Sequence, residues 1–146
     1  MFETIAEITI DRPIEMVFAF IADNENDPQW CVPVVETTRI VGDAPGVGAR
    51  YSFASQVGIM KVHGEFEITG FEPLKTIEWE GESSIVKFSG QYRLQPTATG
   101  THLTEHSAFE PKGLMKLLKT VMRPQYDTTY ETQLQRLKRL LESNTE

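Results

Sequence analysis

A chain of 146 residues, 40% hydrophobic and 24% charged, has the composition of one ordinary globular domain, expected to bury roughly 68–70% of its unfolded surface. Its formal net charge of −7 argues against nucleic acid or an anionic membrane as partner, because both reward a basic face. Cys31 is the only cysteine, which excludes an internal disulfide and makes the cytoplasm the expected location; no stretch is apolar for long enough to span a membrane, and Met1-Phe2-Glu3 lacks the basic start of a signal peptide.

No repeat, low-complexity tract or linker divides the chain, so residues 1–146 are expected to form a single domain. Phe2 to Ile10 alternates, with Phe2, Thr4, Ala6, Ile8 and Ile10 on one face, as a half-buried strand requires. Asp11 can cap the next element, Pro13 suits a first helical turn, and Ile14, Val17, Phe18 and Ile21 form a helical stripe. Asp23 to Pro28 is rich in turn residues and leaves room for a second short helix ending near Trp30.

Six strands follow. Val34 to Val41 closes at Gly42-Asp43-Ala44-Pro45, and Gly46-Val47-Gly48 leads into a strand through Tyr51 and Phe53. Those two glycines are not a dinucleotide fingerprint, because no third glycine follows and a strand comes next where a helix is required. A hairpin at Val57-Gly58 leads to Met60 to Thr69, with Val62, Phe66 and Ile68 facing one way. Ile77 and Trp79 mark the fifth strand, Val86, Phe88, Gly90, Tyr92 and Leu94 share one face of the sixth, and Thr101 to Phe109 is the seventh. Tight turns between successive strands imply antiparallel pairing. On the second strand Glu36 and Arg39 fall on opposite faces, so one of them should point inward.

From Lys112 to Glu142 the period changes. Leu114, Leu117, Leu118, Val121, Met122, Tyr126, Tyr130, Leu134, Leu137 and Leu141 recur in steps of three and four, the stripe of one long helix opened by Pro111 and kinked by Pro124. At about 1.5 Å per residue, roughly thirty residues extend on the order of 45 Å, enough to cross a small domain. Its apolar side needs a broad partner, and the strands provide one. The fold class is α+β: a seven-stranded curved antiparallel sheet around a long C-terminal helix, with two short helices after the first strand.

The chain resembles the START/SRPBCC-like helix-grip superfamily, and within it the polyketide cyclase/dehydrase-like group. The residues that carry the resemblance are Pro13 to Asp23, Pro28-Gln29-Trp30 with Pro33 and Val34, Gly46-Val47-Gly48, Phe71-Glu72-Pro73, and Gly100-Thr101-His102-Leu103-Thr104. The resemblance covers almost the whole chain. It implies a deep cavity between sheet and last helix for a hydrophobic small molecule. It implies no particular reaction, since the superfamily includes cyclases, lipid carriers, hormone receptors and quinone-binding proteins.

The inward phase of each strand supplies the candidate cavity residues: Phe53, Phe66, Trp79, Phe88 and Phe109, with Tyr51, Tyr92, Tyr126 and Tyr130 able to hydrogen-bond a ligand or simply pack. Leu118 and Met122 face the same space from the helix. Trp30 either forms part of the cavity mouth or plugs that corner of the core. Gly90, between Phe88 and Tyr92, is expected to leave a void. Entry would be governed by the Trp30 region, the Val57-Gly58 turn and Glu110 to Gly113.

His102-Leu103-Thr104-Glu105-His106 spells H-x-x-E-H, a zinc-peptidase motif on a helix. On a strand, positions four apart are separated by roughly 13 Å, too far to share one ion. No metal or cofactor is therefore expected, and His63, His102 and His106 read as surface residues. The same strand phase turns Glu105 inward with Leu103, where desolvation would raise its pKa and make it a candidate general acid or base, the alternative being a structural carboxylate. Cys31 has no base near it in sequence, and neither a G-x-S-x-G elbow nor a phosphate loop occurs.

Three functions are compatible with these residues. The first is binding of a lipid, polyketide or isoprenoid-like molecule in the cavity. The second is a cyclase, aromatase or dehydratase in which Glu105 and a tyrosine move protons without metal or covalent nucleophile. The third is an interaction domain with a filled core. Monomer and homodimer remain alternatives.

Overall fold

The computed structural model describes residues 2–143, without the side chains of residues 118–127. Seven strands form one antiparallel sheet: β1 (Phe2–Ile10), β2 (Val34–Val41), β3 (Arg50–Val57), β4 (Met60–Glu72), β5 (Thr76–Ser83), β6 (Val86–Pro96) and β7 (Thr101–Pro111). Their order is β1-β7-β6-β5-β4-β3-β2. Every neighbour from β2 to β7 is thus a sequential hairpin, while β1 crosses to pair with β7. The sheet is curved, and its concave face holds the core.

Helix α1 (Ile14–Ala22) and a 3₁₀ segment (Asn24–Gln29) fill the connection from β1 to β2. Asp11 does not cap α1. Pro13 takes that place through its carbonyl, and the Asp11 N–H instead donates to Glu142 Oε2 on the last helix, at 2.7 Å. A second 3₁₀ segment (Gly113–Leu118) precedes helix α2 (Lys119–Ser143).

The expected long helix therefore starts later than its apolar period indicates. Pro111 ends β7, pairing with Val86, and Leu114 and Leu117 lie on the 3₁₀ segment, each 82% exposed. A 3₁₀ turn repeats every three residues, so the spacing that would align these leucines with an α-helical stripe does not hold there. From Tyr130 onward the stripe is as expected: Leu134, Leu137 and Leu141 are buried with Ile8, Ile10 and Leu103. Helix α2 is continuous through Pro124, and any bend there lies outside the described residues, as do the side chains of Val121, Met122 and Tyr126.

Polar ties hold the far end of α2 against β1. Lys138 Nζ donates to the Thr9 carbonyl at 2.7 Å and to Glu142 Oε2 at 2.6 Å, and Arg12 donates to the Glu142 carbonyl. Two irregularities interrupt the β2–β3 ladder, between Val34 and Glu36 and between Arg39 and Val41. They turn Thr37 inward, leaving Glu36 exposed beside Lys61 and Arg39 half-buried.

Candidate functional site

Strand alternation does most of the work of building the site. On β7, Thr101, Leu103, Glu105, Ser107 and Phe109 all point inward. Register then sets their neighbours: on β6, Tyr92 lies beside Glu105, Gly90 beside Ser107, and Phe88 beside Phe109. Between this face and α2 lies a partly open cavity of about 200 Å³.

The outer part of the cavity is apolar. Phe53, Phe66, Trp79, Phe88 and Phe109 all line it, with Val57 and Ile85 from the two hairpin turns nearest solvent. Phe53 bridges Phe66 and Phe88 at ring separations of 6.0 and 5.6 Å. Tyr92 also lines it, with its ring 4.5 Å from that of Trp79. Two residues expected at the cavity are not in its lining. Trp30 is fully buried against Tyr92, packed in the core while Cys31 to Val34 after it reach the lining, and Tyr51 is fully buried, stacked on Phe66 at 5.1 Å. Leu118, Met122 and Tyr126 lie outside the described side chains.

Gly90 does not create the space. A Cβ there would meet the Trp79 ring at 2.2 Å, because the indole lies over the glycine of the paired strand. The void lies elsewhere, where Ser83, Ser89 and Ser107 bring small side chains to the wall.

The inner part is acidic. Glu105 is 3% exposed, and Gln133 Nε2 on α2 donates to both its oxygens, at 2.8 and 3.1 Å. Gln133 is itself oriented by the Val32 N–H, which donates to its Oε1 at 3.2 Å. Burial pushes the Glu105 pKa up to about 8, the Gln133 bond opposes this, and nearby Asp27 adds to it. Asp27, on the first 3₁₀ segment, is raised to about 8 by burial as well, opposed by Asn24, whose Nδ2 donates to Oδ2 at 3.2 Å. The Cys31 thiol and the Tyr92 phenol are both pushed well above their ordinary values, chiefly by burial, with the two carboxyl groups contributing. Near neutral pH the inner end therefore carries proton donors, and the described residues there include no strong nucleophile.

Three buried oxygens on residues that line the same space, Asn24 Oδ1, Thr37 Oγ1 and Ser107 Oγ, have no hydrogen-bond partner among the described residues. Sequence reasoning singles out none of Asn24, Asp27, Thr37 and Gln133. Gln133 carries a legible signal, since it continues the helical stripe three residues after Tyr130 and four before Leu137. Asn24 and Asp27 share one side of a 3₁₀ turn because positions three apart eclipse, a pattern hidden inside a run that reads only as turn. His102 and His106 lie on the outer sheet face, with Nε2 atoms 3.6 and 3.3 Å from Glu7 and Glu3, and His63 is exposed.

The family model described as polyketide cyclase/dehydrase and lipid transport matches residues 1–142. No curated relative matches the chain. Among solved structures, the Thermus thermophilus protein TTHA0849 is 19% identical with a TM-score of 0.81, covering 99% of this chain and 100% of its own. A conserved protein from Geobacillus kaustophilus is 17% identical with a TM-score of 0.79, over 97% and 96% of the two chains. The di-domain ARO/CYC BexL of the BE-7585A biosynthetic pathway is 19% identical with a TM-score of 0.76, over 97% of this chain and 47% of its own. At these identities the likeness is one of fold.

Proposed function

The chain belongs to the polyketide cyclase/dehydrase and lipid transport family, and on that premise we propose that it binds a hydrophobic or amphipathic small molecule, of lipid, polyketide or isoprenoid kind, between the sheet and α2. The observation that carries this reading is the cavity itself: aromatic outside, polar within, and lined by residues from the sheet, the first 3₁₀ segment and α2 together. Pockets that hold small molecules combine a mostly apolar wall with a few placed polar groups. The volume of about 200 Å³ is below the roughly 300–1,000 Å³ usual for drug-sized ligands, so the ligand is compact or leaves part of itself at the mouth. Residues 1–146 act as one domain in this reading, in the cytoplasm, where a single buried thiol is at home.

A neutral, environment-sensitive fluorescent probe tests it. Uptake with a blue shift, reversed by a long-chain alcohol, is the expected result, and mass spectrometry of the natively purified protein then identifies what it carries. A probe whose emission never changes sinks the reading.

One observation favours a second reading, an enzyme of the cyclase, aromatase or dehydratase kind. Glu105 and Tyr92 are cross-strand neighbours facing the cavity, and a carboxyl group titrating near pH 8 exchanges protons readily at physiological pH. Catalysis would then come from orienting a reactive chain while Glu105 accepts or donates the proton. Given a substrate, turnover in Glu105→Gln should fall by roughly 10²-fold or more; unchanged turnover leaves binding alone.

A further inference from the structure

Among the described residues, the titratable groups that line the cavity are all acids. Asp27 and Glu105 reach it from different elements, 7% and 3% exposed, and each is held by a neutral amide, from Asn24 and Gln133. The lining includes no lysine, arginine or histidine among the described residues. Buried carboxyl groups ordinarily face a cation, because an isolated buried carboxylate is costly. A second, separate observation points the same way. Asn24, Thr37 and Ser107, each more than nine-tenths buried, line this space, and each has a side-chain oxygen with no hydrogen-bond partner among the described residues. All three can accept hydrogen bonds. The inner end thus offers unpaired acceptor oxygens, and the described side chains that line it bring no positive charge.

We infer that the ligand's buried end is a protonated amine, a compact primary or secondary amine whose ammonium group sits between Asp27 and Glu105, with its apolar body among Phe53, Phe66 and Phe88. This rests on the reading that the cavity holds a ligand, and it names the class. A primary ammonium brings the missing cation and three donors for the waiting oxygens. A carboxylate head would add a third acid to two already there, so fatty acids are poor ligands. A hydroxyl head serves one or two acceptors and leaves both carboxyl groups without a cation.

The proton balance follows. The ammonium enters carrying its own proton, one protonated carboxyl group releases its proton to solvent, and an ammonium–carboxylate pair remains. The other titratable groups acting on the two acids and their neighbours are Asp23, Cys31, Tyr92 and Tyr130, none of them cationic, while Arg136 acts on Cys31.

Titration calorimetry at pH 7 with 2-phenylethylamine, 2-phenylethanol and phenylacetate, three molecules of one size, tests the assignment. The amine should bind at least about tenfold tighter than the alcohol, and the acid more weakly than either. Amine titrations in phosphate and in Tris should differ in heat by close to one proton's worth of buffer ionisation. In Glu105→Gln and in Asp27→Asn, each checked for folding by its thermal transition, the ratio of amine to alcohol affinity should collapse toward one. If the alcohol binds and the amine gains nothing over it, or if phenylacetate binds tightest, the amine assignment is overturned while the cavity reading stands. If none of the three binds and a neutral fluorescent probe also fails, both are overturned.

Discussion

Glu105 is where structure and stability pull against each other. A carboxyl group shifted from 4.5 to about 8 is protonated in the folded chain and ionised in the unfolded one throughout that interval. Between those values the unfolded state binds fewer protons, so stability falls as pH rises, by up to about 1.4 kcal/mol per pH unit for each such group. The stability is fully present below pH 4.5 and lost above about pH 8. Asp27 acts in the same direction from 3.8 to about 8. Glu105→Gln removes one of the two slopes, so its urea midpoint should lie above that of the wild type at pH 8 by an amount equivalent to a few kcal/mol, the difference shrinking toward pH 5. Equal midpoints at both pH values would mean that the group is not desolvated. The inward direction of Glu105 is legible in the sequence because the period of a strand is two and its neighbours Leu103 and Phe109 are apolar. Asp27 is not legible, since a turn-rich run has no period to reveal a face. At Gly90 the missing side chain is visible, but sequence alone does not reveal that Trp79 occupies the place.

At the scale of elements, the sheet is readable almost strand by strand, because alternation and turn residues each mark it independently. The last helix is readable except at its start. Leu114, Leu117 and Leu118 keep a helical rhythm, yet Gly113, with φ of 54°, and Pro111 break the backbone that would carry it. Paired substitutions should separate the helix from the segment before it. Leu137→Ala empties a fully buried position and should cost about 2–5 kcal/mol in chemical denaturation. Leu117→Ser, on the exposed 3₁₀ segment, should stay within about 0.5 kcal/mol of the wild type. A large loss at Leu117 would mean that this leucine is covered in solution.

At the scale of the whole molecule, the cavity is an incompleteness in packing that the rest of the core has to support. Ser107 contributes to it with a buried hydroxyl that meets no hydrogen-bond partner among the described residues. Ser107→Val keeps a residue suited to a strand, removes the orphan hydroxyl and fills part of the space. It should raise stability by about 1 kcal/mol while weakening uptake of a neutral probe at least about tenfold. A more stable protein with undiminished uptake would place the ligand elsewhere.

The polar tie between Asp11 and Glu142 spans 131 positions, and among the described residues β1 pairs with β7 alone. On the ribosome, β1 must therefore wait until β7 and α2 have been translated before it can dock. Contacts this distant make for slow folding, and oily surface stays uncovered in the meantime. The yield of native protein in a cell then depends on translation speed and chaperone supply as well as on packing.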